Sequence, residues 1–259
     1  MVPVASDADG VRPEAVAEAI AAVRRRGRAP RFLYAVPTFN NPAGVSLAAE
    51  RRQALIDLAA AEALLIVEDD AYRELFYGDP APPSLWSIAP RGTVVRLGSF
   101  SKIVAPGLRL GFLTADAAII ERIRGGGLLD SGGGINHFSA NTVAAFCEAG
   151  RFEEQGAFLR ATYRSRRDAL GGALSEYLPT DVRWRRPDGG FFFWLDLPPG
   201  VDTAALLSRA AAGGVGYAPG LRFYVGEGGT GAARLAFGLY PEDQLVEAAR
   251  RLGAVLRER

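Results

Sequence analysis

Lys102 is the only lysine in a chain of 259 residues whose lysines and arginines together number 30. Every other basic side chain that carries a fixed charge is therefore an arginine. Such a bias arises when arginine replaces lysine wherever a solvated positive charge suffices. Replacement fails where a nucleophilic amine is required. A guanidinium keeps its proton and forms no Schiff base, whereas a desolvated lysine amine can lose its proton and attack a carbonyl. The surroundings of Lys102 point the same way. It ends the run Ser99-Phe100-Ser101-Lys102, and the run Pro106-Gly107-Leu108-Arg109-Leu110-Gly111 follows. Upstream lie an acidic run, Glu68-Asp69-Asp70, then Ala71-Tyr72, and an amide in Asn41-Pro42-Ala43-Gly44.

Positioning these groups requires an ordered edge. Residues 13–25 read as a helix opened by proline, and 31–36 as a buried strand. Residues 47–62 have helical spacing, and 63–67 and 93–97 read as two further strands. Short apolar strands separated by helical or long crossovers argue for a parallel α/β sheet. The strand at 110–114 follows the third through a connection too short for a helical crossover, which suits an antiparallel neighbour. If the first three strands are parallel, their C-terminal ends share the edge where open α/β sheets bind ligands. Asn41, Asp69 and Lys102 emerge there in turn. A carboxylate buried at that edge needs a positive partner, and a protonated pyridinium nitrogen is one. The plainer reading is that Glu68, Asp69 and Asp70 solvate a strand end or cap a helix.

Later residues change character. Helices near 139–149 and 151–176 lead to a hairpin over 182–197 about a Pro-Asp-Gly-Gly turn. A helix near 202–212, a strand at 233–239 and a helix from about Pro241 complete the chain. Helices beside antiparallel strands suggest a smaller α+β domain over 151–259, after an α/β domain over 1–150. Trp184, Phe191, Phe192, Phe193 and Trp194 read as hairpin core, His137 as a loop histidine, and Cys147 as buried and inert. The Gly132-Gly133-Gly134 run reads as a mobile loop.

The four segments around Asn41, Asp69, Lys102 and Arg109 occur in order around the sole lysine, and together they resemble the signature set of class I/II aminotransferases. The texture VEDDAYRELFYG followed by GSFSKIVAPGLRLGF resembles most the branch of 2-aminoadipate aminotransferases and of the aminotransferase-like domain of MocR regulators. That resemblance implies the fold type I of transferases that use pyridoxal 5'-phosphate. Lys102 would carry the cofactor as a Schiff base and then act as the base, and Asp69 would pair with the pyridine nitrogen. Asn41 and Tyr72 would bond the phenolic oxygen, while Ser99, Ser101 and Arg109 would hold the phosphate. Arg234 would bind a substrate α-carboxylate, and Asn41 would meet the substrate as well as the cofactor. The activity implied is exchange of an amino group between an amino acid and a 2-oxo acid, in a homodimer. A PLP-binding regulatory domain and a lyase on the same scaffold are the alternatives.

Composition narrows the field further. A formal net charge of +1 gives no field drawing the chain to nucleic acid or anionic lipid. No apolar run is long enough for a membrane helix, and a cytoplasmic location follows by default. One cysteine and one histidine leave no basis for a disulfide, a cysteine metal cluster or a His-rich metal site. The resemblance also begins abruptly. An N-terminal arm, a glycine-containing phosphate loop and a ring-stacking aromatic find no counterpart before Asn41. The expectation is that these parts of the larger domain are missing, leaving apolar sheet surface exposed. The preferred amino acid is not legible.

Overall fold

The computed structural model describes residues 1–132 and 136–258. Two compact units emerge, one of Val4–Thr38 and Val45–Leu159, the other of Met1–Pro3, Phe39–Gly44 and the chain from Arg160 onward.

The first unit opens with a small antiparallel pair, β1 (Ser6–Asp7) and β2 (Gly10–Val11). Helix α1 (Pro13–Arg25) has proline at its first turn, where the missing N–H costs nothing, and buries Val16 and Ile20 one turn apart. Strand β3 (Phe32–Ala35), helix α2 (Ala49–Ala61), strand β4 (Leu65–Asp69), the short helix α3 (Leu85–Ile88), β5 (Val94–Ser99) and β6 (Gly111–Thr114) follow. The sheet order is β3-β4-β5-β6. The first three strands run parallel and β6 antiparallel to β5, as expected from the short connection before it.

Side chains alternate across this sheet. Ile66 on β4 and Val94 on β5 join Val16, Ile20, Leu55 and Ile56 in one core cluster, with Leu33 of β3 packed against it. Phe32 and Tyr34 pair in register with Leu65 and Val67 and take the other face. They remain 56% and 53% exposed. The expectation of a buried strand at 31–36 is thus corrected: β3 is an edge strand whose helices cover one face only. The second strand also starts later than its apolar run. Ala63 takes a left-handed conformation (φ 50°) and the Leu64 N–H donates to the Ala59 carbonyl at 2.8 Å, so both close α2 instead of opening β4.

Helices α4 (Ala117–Arg124), α5 (Gly127–Asp130) and α6 (His137–Glu148) come next, then the long α7 (Arg151–Tyr177). Asn136 caps α6 by accepting the Ser139 N–H at 3.0 Å, which makes His137 the first helical residue and not a loop residue. Cys147 lies on α6 half-buried, not buried, and desolvation still raises its thiol pKa. Gly133 and Gly134 of the glycine run lie outside the described residues. No described helix is long and apolar enough to cross a membrane.

The second unit takes α7 from Arg160, then β7 (Arg183–Trp184), β8 (Phe192–Asp196), α8 (Thr203–Ala212), β9 (Ala218–Pro219), β10 (Ala232–Ala236) and α9 (Glu242–Arg257). Its antiparallel sheet has the order β7-β8-β10-β9. Phe193 and Leu195 of β8, fully buried, and Leu235 of β10 point to one face. Helix α9 buries Leu245, Ala249, Leu252 and Leu256 at helical spacing. The expected hairpin is present, with β7 and β8 as its arms.

Candidate active site

In the first unit the candidate residues gather at the C-terminal ends of β4 and β5. The three acidic residues there have three different tasks. Glu68 is fully buried on the core face, and its two carboxylate oxygens accept the Leu85 and Trp86 N–H groups, each at 2.9 Å. It thereby anchors the first turn of α3, and burial raises its pKa. Asp70 is buried too and accepts from Arg73 Nε at 2.5 Å and Arg96 Nε at 2.8 Å. Glu68 and Asp70 are therefore structural, as the plainer reading held. Asp69 differs: it ends β4 on the opposite face, half-buried, in register with Leu97 of β5.

Asp69 Oδ2 accepts a hydrogen bond from the Tyr34 hydroxyl at 2.6 Å. Sequence reasoning missed Tyr34, although alternation within Phe32–Ala35 could have put it on the face that Asp69 shares. Its phenol pKa is raised, first by partial desolvation and then by the Asp69 bond, so it remains a donor. Beyond Asp69 the chain turns tightly, with the Leu75 N–H donating to the Tyr72 carbonyl at 2.9 Å and Leu75 fully buried as its anchor. That turn presents Tyr72, whose ring centroid lies 5.5 Å from Lys102 Nζ.

Lys102 is held by its own turn. β5 ends at Ser99, whose Oγ accepts the Ser101 N–H at 3.2 Å and so caps a single 3-10 turn over Phe100–Lys102. Ile103, 2% exposed, pins the turn from inside. Phe100 packs against Phe112 with centroids 5.4 Å apart and against Phe152 at 6.2 Å. Gly98 faces Phe112 in register across β5 and β6, and a Cβ there would meet Phe112 Cζ at 2.0 Å. Only glycine lets that ring lie across the strand. Arg109 follows a second 3-10 turn over Pro106–Leu108 and has left-handed φ and ψ of 50° and 40°, uncommon for a residue with a side chain. Its guanidinium is exposed and donates to the Pro106 carbonyl at 3.3 Å.

The second unit brings Asn41 and Arg234 together. Arg234 sits on β10 opposite Trp194 of β8. Its guanidinium carbon lies 4.2 Å from the Phe192 centroid and 4.6 Å from that of Phe223, a stacked setting that fixes the fork. Arg234 Nη1 donates to Asn41 Oδ1 at 2.6 Å. Asn41 belongs to the segment Phe39–Gly44. There the Gly44 N–H donates to the Asn40 carbonyl at 2.8 Å and the Ala43 N–H to Asn40 Oδ1 at 3.1 Å. Gly44 is left-handed (φ 68°), and a Cβ on it would come 2.9 Å from the Phe192 carbonyl oxygen. Phe192 is thus more than hairpin core, since its ring carries Arg234. A cavity of about 520 Å³, lined in part by Leu170, Val215, Leu235 and Leu252, includes none of the candidate residues.

One unit therefore offers an amine, a carboxylate and a hydroxyl–guanidinium set, and the other an arginine fork oriented by an amide. Comparison with known proteins gives this arrangement a family. The model of the family "Aminotransferase class I and II" matches residues 2–252. Aromatic-amino-acid aminotransferase 1 of Thermococcus litoralis is 35% identical over 256 residues, covering 97% of this chain and 60% of that protein. The 2-aminoadipate transaminase of Thermus thermophilus is 35% identical over 245 residues, 93% of this chain and 60% of that protein. Among solved structures, the multiple substrate aminotransferase of Thermococcus profundus superposes with a TM-score of 0.92 at 35% identity, over 99% of this chain and 64% of that one. The chain thus spans about 60% of the length of the curated relatives it matches. With the family model matching nearly its whole length, the chain belongs to the class I and II aminotransferase family.

Proposed function

We propose that this chain holds pyridoxal 5'-phosphate and serves the transfer of an amino group between an amino acid and a 2-oxo acid. One observation carries the reading: the sole lysine projects beside Tyr72 at the same sheet end where Asp69 and Ser99 leave neighbouring strands. The donor set fits the cofactor group by group. Ser99, Ser101 and Arg109 supply hydroxyl and guanidinium donors for a phosphate, Asp69 supplies a carboxylate for a cationic ring nitrogen, and Lys102 supplies an amine for an aldehyde.

When bound, the cofactor supplies a protonated ring that draws off the electron pair left on a substrate carbon losing its proton. The chain's own residues do the rest. Lys102 Nζ would take the proton from the substrate Cα and hold it for return as the amino group is handed over. Asp69, steadied by Tyr34, keeps the ring nitrogen protonated. The Tyr72 hydroxyl and the Asn41 amide bond the phenolic oxygen. Arg234, flattened between Phe192 and Phe223, pairs bidentately with the substrate α-carboxylate, so the substrates proposed are amino acids with that group free. Residues 1–150 hold the cofactor in this reading and 151–259 the smaller domain, in a cytoplasmic homodimer.

The test is amino transfer to 2-oxoglutarate by the purified chain across a panel of amino acids, including 2-aminoadipate and aromatic donors. Lys102→Ala should abolish it, and undiminished transfer by that variant would refute the proposal. Formation of 2-oxo acid without an acceptor would point instead to elimination.

A further inference from the structure

The loop that carries Asn41 is gathered at its base by a residue outside the motif set. Arg52 lies on α2 at a core-facing position, one turn from Leu55 and Ile56, and is 1% exposed. A guanidinium is costly to bury, and a leucine would fill such a position without that penalty. Its bonds explain its presence. Arg52 Nη2 donates to the Pro37 carbonyl at 2.6 Å and to Thr38 Oγ1 at 3.2 Å. Nε donates to the Leu47 carbonyl at 3.0 Å, and Nη1 to the Pro83 carbonyl at 2.9 Å. Pro37 and Thr38 stand where the chain departs for Phe39–Gly44, and Leu47 stands just after its return. The two stems meet directly through the Leu47 N–H, which donates to the Pro37 carbonyl at 2.8 Å.

We propose that Arg52 is a positioning residue, which clamps both stems of the 38–47 loop and so sets the path of the segment that carries Asn41. Arg52 gives its hydrogen bonds to three main-chain carbonyls and one hydroxyl. The planar fork is what reaches several carbonyls lying in different directions. A lysine offers one nitrogen and cannot span both stems. The functional side of this inference rests on the reading of Asn41 and Arg234 as the substrate end of the site. The clamp itself does not.

Amide hydrogen exchange on the wild-type chain, Arg52→Gln and Arg52→Lys tests it. In Arg52→Gln, exchange at Ala43, Gly44 and Leu47 should rise by about tenfold or more, the equivalent of losing one hydrogen bond to a charged group, while Ile66 and Val67 of β4 keep their protection. Arg52→Lys should fall between the two. A uniform rise, or no rise at the loop, overturns the clamp. Should Arg52→Gln fail to fold, Thr38→Val, which removes one acceptor, must still raise exchange at Leu47, and the same rule decides. Titration with 2-oxoglutarate as a carboxylate probe and with pyridoxal phosphate gives the second readout. The affinity for 2-oxoglutarate should fall roughly tenfold in Arg52→Gln, and that for pyridoxal phosphate, whose phenolic oxygen Asn41 bonds, by about fivefold. Loosened exchange with unaltered 2-oxoglutarate affinity would sink the substrate role of Asn41 and Arg234 and leave the clamp standing.

Discussion

Substituting Gly98 by alanine tests whether the packing behind Lys102 is as tight as the structure shows. A Cβ at this position would lie 2.0 Å from Phe112 Cζ and 2.4 Å from both Cε atoms. Ordinary contact starts near 3.4 Å, so the ring must retreat by about 1.4 Å. The backbone cannot yield, because Gly98 and Phe112 are fixed opposite each other in the β5–β6 register. Phe112 is 43% exposed, so its ring escapes outward. The cost is then that of overpacking relieved by a lost contact, about 1–3 kcal/mol. Phe112→Ala alone, taking away a half-exposed ring, should cost roughly 1–2 kcal/mol. In the double variant the new methyl meets open space, so its cost should fall short of the sum of the two single costs by at least about 1 kcal/mol. Urea denaturation followed by circular dichroism at a fixed pH measures all three. Costs that add within about 0.5 kcal/mol would refute the reasoning, because two groups that clash must couple. Phe112 also braces Phe100, the first residue of the turn bearing Lys102, so Gly98→Ala should lower the yield of cofactor trapped on Lys102.

Other consequences are as direct. Tyr34→Phe removes the hydroxyl that donates to Asp69 at 2.6 Å and should weaken pyridoxal phosphate binding about fivefold, the worth of about 1 kcal/mol, with little change in the urea midpoint. Equal affinities for wild type and variant would sink the role given to Tyr34. Glu247 accepts hydrogen bonds from Arg250 and Arg251, which hold its carboxyl at about 2 against an ordinary 4.5. Because the folded value lies below the unfolded one, the contribution is complete above 4.5 and is lost as pH falls toward about 2. Glu247→Gln should therefore flatten the acid side of the stability profile in that window, and salt should shrink the difference between the two proteins, since the pairs are exposed. Identical slopes in an acid titration of unfolding would contradict this.

What was legible in the sequence follows from what local patterns encode. Pro13 before a helical repeat, the apolar run that leads into β4 and the Pro-Asp-Gly-Gly turn are local signals, and the elements they announce are present. The motif residues were legible because lysine, aspartate and arginine are chemically distinct from their apolar neighbours. Tyr34 was not, because its role depends on β3 pairing in register with β4, a long-range fact. Arg52 was overlooked for a related reason: among so many arginines, only the fold reveals that this one faces inward. The exposure of Phe32 and Tyr34 was hidden within an apolar run that reads as buried, since hydrophobicity alone does not say which strand lies at an edge. Likewise Phe39–Gly44 joins the unit of Arg234 through close approaches at Gly44 and Gly190 that local spacing does not encode. Strands of two residues, such as β1, β2 and β9, carry too little alternation to be read at all.

The most direct test of the central claim is covalent. The purified chain is mixed with pyridoxal phosphate, its visible absorbance is recorded, and borohydride then fixes any adduct for mass mapping. With a single lysine in the chain, the only amines available are Lys102 and the N-terminus, so the assignment is unambiguous. The account predicts a visible band that borohydride abolishes and an adduct mapped to Lys102. No band, or an adduct confined to the N-terminus, would contradict it.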